Sequence, residues 1–150
     1  MTVRGNRGAI YNAENECITA YFSSVEGGQV FSDRVCRSKW WRDRAITPPV
    51  KHIIIKYPVP AGMSGTYLLD EGLGEIRFTP LALSGLNMCH EHAHFLTWIY
   101  PDQYRNPHNH DEEDHSPTFA RMELEIVKRF LSQADGAQLE KYFIKWKVKY

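Results

Sequence analysis

The chain has 150 residues, 43% of them apolar and 13% aromatic, and its 18 basic and 18 acidic side chains cancel. That is enough apolar material for a core of its own and too little length for two ordinary domains, so residues 1–150 read as a single domain. The balanced charge gives no overall pull toward nucleic acid or an anionic membrane. No apolar run reaches the roughly 18–20 residues of a membrane span, and Met1-Thr-Val-Arg-Gly-Asn-Arg lacks the apolar segment of a secretory signal, so the expected compartment is the cytoplasm.

In chain order, Ala9, Ile10, Ala13, Cys17, Ala20 and Tyr21 recur at helical spacing and predict a first helix over Ala9–Tyr21, ended by Gly27-Gly28. A second helix is expected over Val30–Arg42, with Trp40 and Trp41 as core anchors, until Thr47-Pro48-Pro49 breaks the chain. Lys51–Tyr57 is a β-branched run that reads as a buried strand. Gly62–Gly65 makes a turn, Thr66–Leu69 a second strand, and Asp70–Gly74 a turn into a third, where residues 74–79 alternate. A helix then carries Leu86, Cys89, Ala93 and Leu96 on one apolar stripe and ends before Pro101. Residues 100–116 have no apolar periodicity and include four consecutive acidic residues, Asp111 to Asp114; a solvated loop is the expected reading, with a lid or a calcium site as alternatives. Phe119–Leu131 is strongly helical, Asp135-Gly136 interrupts it, and a C-terminal helical extension over about residues 135–150 packs through Leu139, Tyr142, Phe143 and Trp146. Helices flanking three short strands predict a small α+β fold. Cys17, Cys36 and Cys89 are odd in number and widely spaced, which fits buried thiols and neither a disulfide framework nor a zinc knuckle.

The chemistry concentrates in Cys89-His90-Glu91-His92-Ala93-His94. Two histidines four apart share one helix face, so both imidazoles reach a single ion, and the glutamate beside the first reaches water bound there. Three imidazoles and a carboxylate on one buried helix are costly without a partner, and a metal is the commonest one. A catalytic zinc site takes three protein ligands and leaves the fourth position open. A metzincin third ligand is excluded, because Thr97 and Tyr100 stand where a glycine and a histidine would be required. Glu123 and Glu125 on the downstream helix, Glu113 in the loop, and His108 and His110 are candidates. The best is His115, at the entrance of the Phe119 helix, where Pro117 falls in the first turn and a rigid element holds the ligand.

His90-Glu91-x-x-His94 followed by His115-x-Pro-x-Phe119 resembles SprT-like and related zincin metallopeptidases. With Arg7-Gly-Ala-Ile-Tyr11-x-Ala-Glu14 and Trp40-Trp41-Arg42, the chain resembles more closely a group of small HExxH metallohydrolases of actinobacteria and their phages, over most of residues 4–131. The resemblance implies a compact zincin-like domain in which His90, His94 and His115 are zinc ligands and Glu91 is the catalytic base. Ser116 departs from it, standing where glycine is frequent.

The expected function is therefore zinc-dependent hydrolysis, with a peptide or protein as substrate. His92, Tyr104 and Arg105 are candidate donors to an oxyanion, and strand Glu75–Thr79 is expected to pair with an extended substrate by edge addition. Two alternatives come from other classes. One is a non-catalytic zinc-stabilised interaction module. The other is a SprT-like nucleic-acid-associated protease, with Lys141, Lys145, Lys147 and Lys149 as its contact.

Overall fold

A computed structural model describes residues 2–45, 50–70, 72–97 and 115–150. The expected loop over residues 100–116, with His108, His110, Glu113, Tyr104 and Arg105, lies outside the described residues except for His115 and Ser116.

The first helix, α1, spans Thr2–Glu16 and so begins and ends earlier than the apolar spacing suggested. Beyond it the chain runs extended beside the start of the motif helix. Tyr21 bridges Ser84, the Phe22 amide donates to the Leu83 carbonyl at 3.0 Å, and the Gly85 amide donates to Ala20 at 2.9 Å. Those backbone partners replace the last helical turn expected at residues 17–21.

Helix α2, Val25–Arg37, starts at the glycine pair that was expected to terminate a helix. Ser24 supplies the start, its hydroxyl accepting from the Gly27 amide at 3.1 Å. Gly28 serves close packing: a Cβ there would stand 3.0 Å from Met88 Cε on the motif helix. The single helix expected over Val30–Arg42 is divided at Ser38, an extended residue whose hydroxyl caps α3, Lys39–Arg44, through the Trp41 amide. Both tryptophans are buried, as expected. Trp41 donates to the Val50 carbonyl at 2.7 Å, and Trp40 meets Phe130 edge to face.

Strands β1 (His52–Lys56), β2 (Gly65–Asp70) and β3 (Leu73–Arg77) form one sheet in the order β1-β3-β2, with β1 parallel and β2 antiparallel to β3. The third strand is thus central and paired on both sides, so it cannot take a substrate strand by edge addition. Its charged Glu75 is nevertheless buried, held by Lys56 at 3.1 Å and by Arg77. The outer edge of β1 is covered by α2, where Gln29 donates to the Ile53 carbonyl and accepts from the Ile55 amide. Among the described residues, β2 is left as the edge without a covering partner of this kind.

Helix α4, Gly85–Thr97, carries the histidines and lies on the sheet, with Phe95 over Gly74 of β3. Helix α5, Pro117–Ile126, is capped by Ser116, which accepts from the Phe119 amide at 3.2 Å, and has Pro117 in its first turn. It continues as a π-helical turn over Val127–Leu131. The expected break at Asp135-Gly136 falls instead at Ser132, which caps α6, Gln133–Lys145. Gly136 lies inside α6, at a position where a Cβ would come too close to Lys128 Cγ. Among the described residues, six α-helices and a three-stranded sheet make the fold α+β.

The core includes Trp41, Ile53, Ile76, Phe95, Phe119 and Phe143, all fully buried, and each large apolar side chain contributes about 2 kcal/mol or more. The three cysteines are free thiols. Of the C-terminal lysines, Lys145 is engaged within the fold, pairing with Glu16 at 2.6 Å beside the bond from Trp146 to the same carboxylate. Among the described residues no helix is long and apolar enough to cross a membrane.

Candidate metal centre

His90 and His94 stand one turn apart on α4, so their rings project from the same face, with centroids 5.0 Å apart. His115 joins them from the entrance of α5. Its backbone carbonyl accepts from Asn6 of α1 at 2.7 Å, which ties the N-terminal helix to this corner. Phe119, one turn into α5, packs against all three imidazoles at centroid distances of 4.6 to 4.9 Å. One ring nitrogen from each of His90, His94 and His115 can be chosen so that all lie within 4.8 Å of one another. His90 Nε2 and His115 Nε2 are 3.3 Å apart, which matches the edge of a tetrahedron whose metal–nitrogen bonds are about 2.0–2.1 Å. Two of the three imidazoles are buried, and buried polar groups of this kind need a partner. The donor set could hold a metal ion.

A second buried group lies behind His90. Glu14 of α1 places Oε2 2.5 Å from His90 Nδ1, and Glu123 of α5 places Oε2 3.3 Å from the same nitrogen. Glu14, His90 and Glu123 also satisfy the spacing of a possible metal group. The 2.5 Å contact, however, is a hydrogen bond, too short for two donors sharing one tetrahedral ion, whose separation is about 3.3 Å. This inner group is best suited to holding His90, so that Nε2 faces the other imidazoles. Glu123, a candidate third ligand by sequence, therefore approaches the opposite nitrogen of His90. Glu125, the other, lines a surface cleft with Lys128, Arg129 and Gln133.

The electrostatics follow from burial. Glu14 is pushed up to about 7 by desolvation, aided by the charge of Glu91. Desolvation also drives Glu123 well above the carboxylate range, with the charge of Glu14 adding to it. Neither oxygen of Glu123 has a hydrogen-bond partner of ordinary geometry, although His90 Nδ1 stands 3.3 Å from one of them. Burial opposes charge on His90, but the Glu123 carboxyl and the charge of Glu91 outweigh it and raise the imidazole above its ordinary value.

Glu91 follows His90 on α4, and its carboxylate accepts a hydrogen bond from the hydroxyl of Thr66, a fully buried residue of edge strand β2. The outer strand and the motif helix are thus joined at the glutamate. His92, a candidate oxyanion donor by sequence, is in the core instead. Its Nδ1 donates to the Met88 carbonyl at 2.6 Å, its Nε2 accepts from Ser32 at 2.8 Å, and the rings of Phe31 and Trp41 meet it edge-on. Burial pushes it down to about 4, leaving it neutral.

Tyr11 of α1 is the residue that motif reading passed over. Its hydroxyl is 3.2 Å from His115 Nε2 and its ring stacks on His90 with centroids 5.7 Å apart. The guanidinium of Arg7 lies 5.2 Å from its ring centroid. Burial and then the charge of Glu14 push the phenol up to about 12, with Arg7 opposing. Arg7, Tyr11 and Glu14 recur at i, i+4 and i+7, a spacing that puts them on one face of a helix and could have marked them as facing one site. The chain matches no protein-family model, no curated protein and no solved structure.

Proposed function

We propose that this protein is a zinc-dependent hydrolase, a small zincin-like metallopeptidase in which His90, His94 and His115 hold the metal and Glu91 is the general base. The observation that carries the reading is the convergence of His115 with both histidines of the His-Glu-x-x-His helix at ligand spacing. Three imidazoles with an open fourth position suit zinc.

Bound there, zinc lowers the pKa of its water to roughly 7 and polarises a substrate carbonyl. The chain's own residues do the rest. Glu91 accepts the proton of the attacking water and passes it to the departing amine. Thr66 holds the Glu91 carboxylate through its hydroxyl. Glu14 accepts from His90 Nδ1, which fixes the ring so that Nε2 is the ligating nitrogen. An extended peptide would add to the outer edge of β2, the strand that reaches Glu91, rather than to the central strand.

The test is metal content by plasma mass spectrometry on tag-free protein, with His94→Ala, His115→Ala and Glu91→Gln alongside. About one zinc per chain is expected in the wild type and in Glu91→Gln, and less in both histidine variants. Hydrolysis of a peptide library is expected from the wild type and to fall at least about a hundredfold in Glu91→Gln. A wild type that takes up no zinc on reconstitution would overturn the reading. Zinc uptake with equal effects in wild type and Glu91→Gln would leave a metal-stabilised binding module.

A further inference from the structure

The three imidazoles account for ligation and Glu91 for proton transfer, but neither places a hydrogen-bond donor against the charge that develops on a substrate oxygen. Removal of such a donor in other hydrolases costs on the order of a hundredfold in rate or more. The residues considered from sequence do not fill the role within the described structure, since His92 is committed to Met88 and Ser32.

We infer that Tyr11 is a catalytic residue of this site, donating its phenolic hydrogen to the substrate oxygen that becomes negatively charged. This rests on the zinc hydrolase reading above. Three observations converge. The Tyr11 oxygen lies 3.2 Å from His115 Nε2, nearly the same distance as separates that nitrogen from His90 Nε2. The hydroxyl is therefore at the face of the cluster on which the ligating nitrogens converge. Second, the ring is fixed: it stacks on His90 with an interplanar angle of 19°, is tilted against His115, and has the Arg7 guanidinium beside it. A donor held by packing needs little reorganisation when charge appears. Third, the phenol faces His115 through the nitrogen that metal binding would occupy. A nitrogen whose lone pair is engaged by a metal accepts no hydrogen bond, so the Tyr11 hydroxyl would be released toward the next acceptor beside it. A substrate carbonyl or a similar oxygen anion is that acceptor.

The spacing of α1 supports a common purpose. Arg7, Tyr11 and Glu14 share one face, on which Tyr11 reaches His115 and Glu14 reaches His90. The N-terminal helix supplies both the support of a ligand and the donor, so the site is shared between α1, α4 and the entrance of α5.

The experiment uses the full chain loaded with cobalt(II), whose visible absorption reports ligands at the metal, titrated with acetohydroxamate as a small oxygen-anion probe. Tyr11→Phe is expected to bind one cobalt per chain with affinity within about threefold of wild type, and acetohydroxamate at least about tenfold more weakly. The variant keeps the ring that stacks on His90, and a thermal melt of the metal-free protein checks its fold. Equal acetohydroxamate affinity in both proteins would overturn the inference while leaving the metal reading intact. Loss of cobalt from Tyr11→Phe would also overturn it, making Tyr11 a ligand. A wild type that binds no cobalt would instead overturn the metal reading on which it rests.

Discussion

Glu14 Oε2 accepts from His90 Nδ1 at 2.5 Å, a bond between the N-terminal helix and the motif helix across 76 positions of sequence. Because the contact is buried, it decides which ring nitrogen of His90 is offered to a metal. Glu14→Gln keeps the shape and removes the carboxylate. We expect metal affinity to fall about 10–100-fold, measured by competition with a chromophoric chelator at pH 7.5. Unchanged affinity would show that Glu14 does not orient the ligand.

The same substitution should act in the opposite direction on the metal-free fold. The folded-state value of Glu14 is raised to about 7 from 4.5, so the folded protein binds a proton that the unfolded chain has released. Its contribution to stability is present at low pH and is lost as pH rises from about 4.5 through 7. At pH 8 metal-free Glu14→Gln should be more stable than wild type by about 1–3 kcal/mol in urea unfolding, and the difference should shrink toward pH 5. Such a trade of stability for a binding site is the usual pattern at functional positions.

The position of Thr66 gives a separate test of the role proposed for Glu91. Thr66→Val is nearly isosteric and removes the hydroxyl that donates to Glu91. Metal stoichiometry should stay at wild-type level while peptide hydrolysis falls by about tenfold, and Thr66→Ser should restore most of it. If Thr66→Val hydrolyses as fast as wild type, the bond from β2 does not position the glutamate.

Sequence exposed those parts of the site that lie within one element. His90 and His94 are legible because a spacing of four on a helix maps directly to a shared face, and His115 because Pro117 marks the first turn of the helix that follows it. Tyr11 and Glu14 were hidden by distance, since their partners are 104 and 76 residues away, and their stripe is polar where helix recognition follows apolar residues. The central place of β3 was hidden by Glu75, a charge that reads as facing solvent until Lys56 and Arg77 are seen to neutralise it in the interior. Glycine misled in one direction. Gly27, Gly28 and Gly136 looked like breaks, yet all three lie within helices, Gly28 and Gly136 where a neighbouring side chain comes close.

His92 gives the fold a dependence on acid. Its folded-state value is lowered to about 4 by burial, against about 6.5 for an exposed imidazole. Between those values the unfolded chain takes up a proton that the folded chain refuses, so this stability is present above about pH 6.5 and is lost as pH falls toward 4. Metal-free wild type should lose about 2 kcal/mol from this group between pH 7.5 and pH 5. His92→Gln, though less stable at neutral pH, should show a correspondingly smaller loss over the same interval. Parallel losses in the two proteins would show that His92 is not held neutral in the core.

The seating of the motif helix depends on an absent side chain. A Cβ at Gly74 would lie 2.6 Å from Phe95 Cζ and 2.7 Å from Cε1, with Val50 also in contact at 3.4 Å. Phe95 is fully buried and lies one residue beyond His94 on α4, so it cannot yield without moving the helix or leaving its rotamer. Gly74→Ala should therefore destabilise the protein by about 1–3 kcal/mol through overpacking. It should also weaken metal binding, because α4 carries two of the three imidazoles while His115 stays with α5. Shortening the opposing ring separates this from a general loss of strand structure: Gly74→Ala combined with Phe95→Leu should recover part of both losses, giving a favourable coupling in a double-mutant cycle. Strictly additive effects of the two substitutions would mean that the cost at Gly74 arises in the strand itself, and that contact with Phe95 does not set the position of His90 and His94.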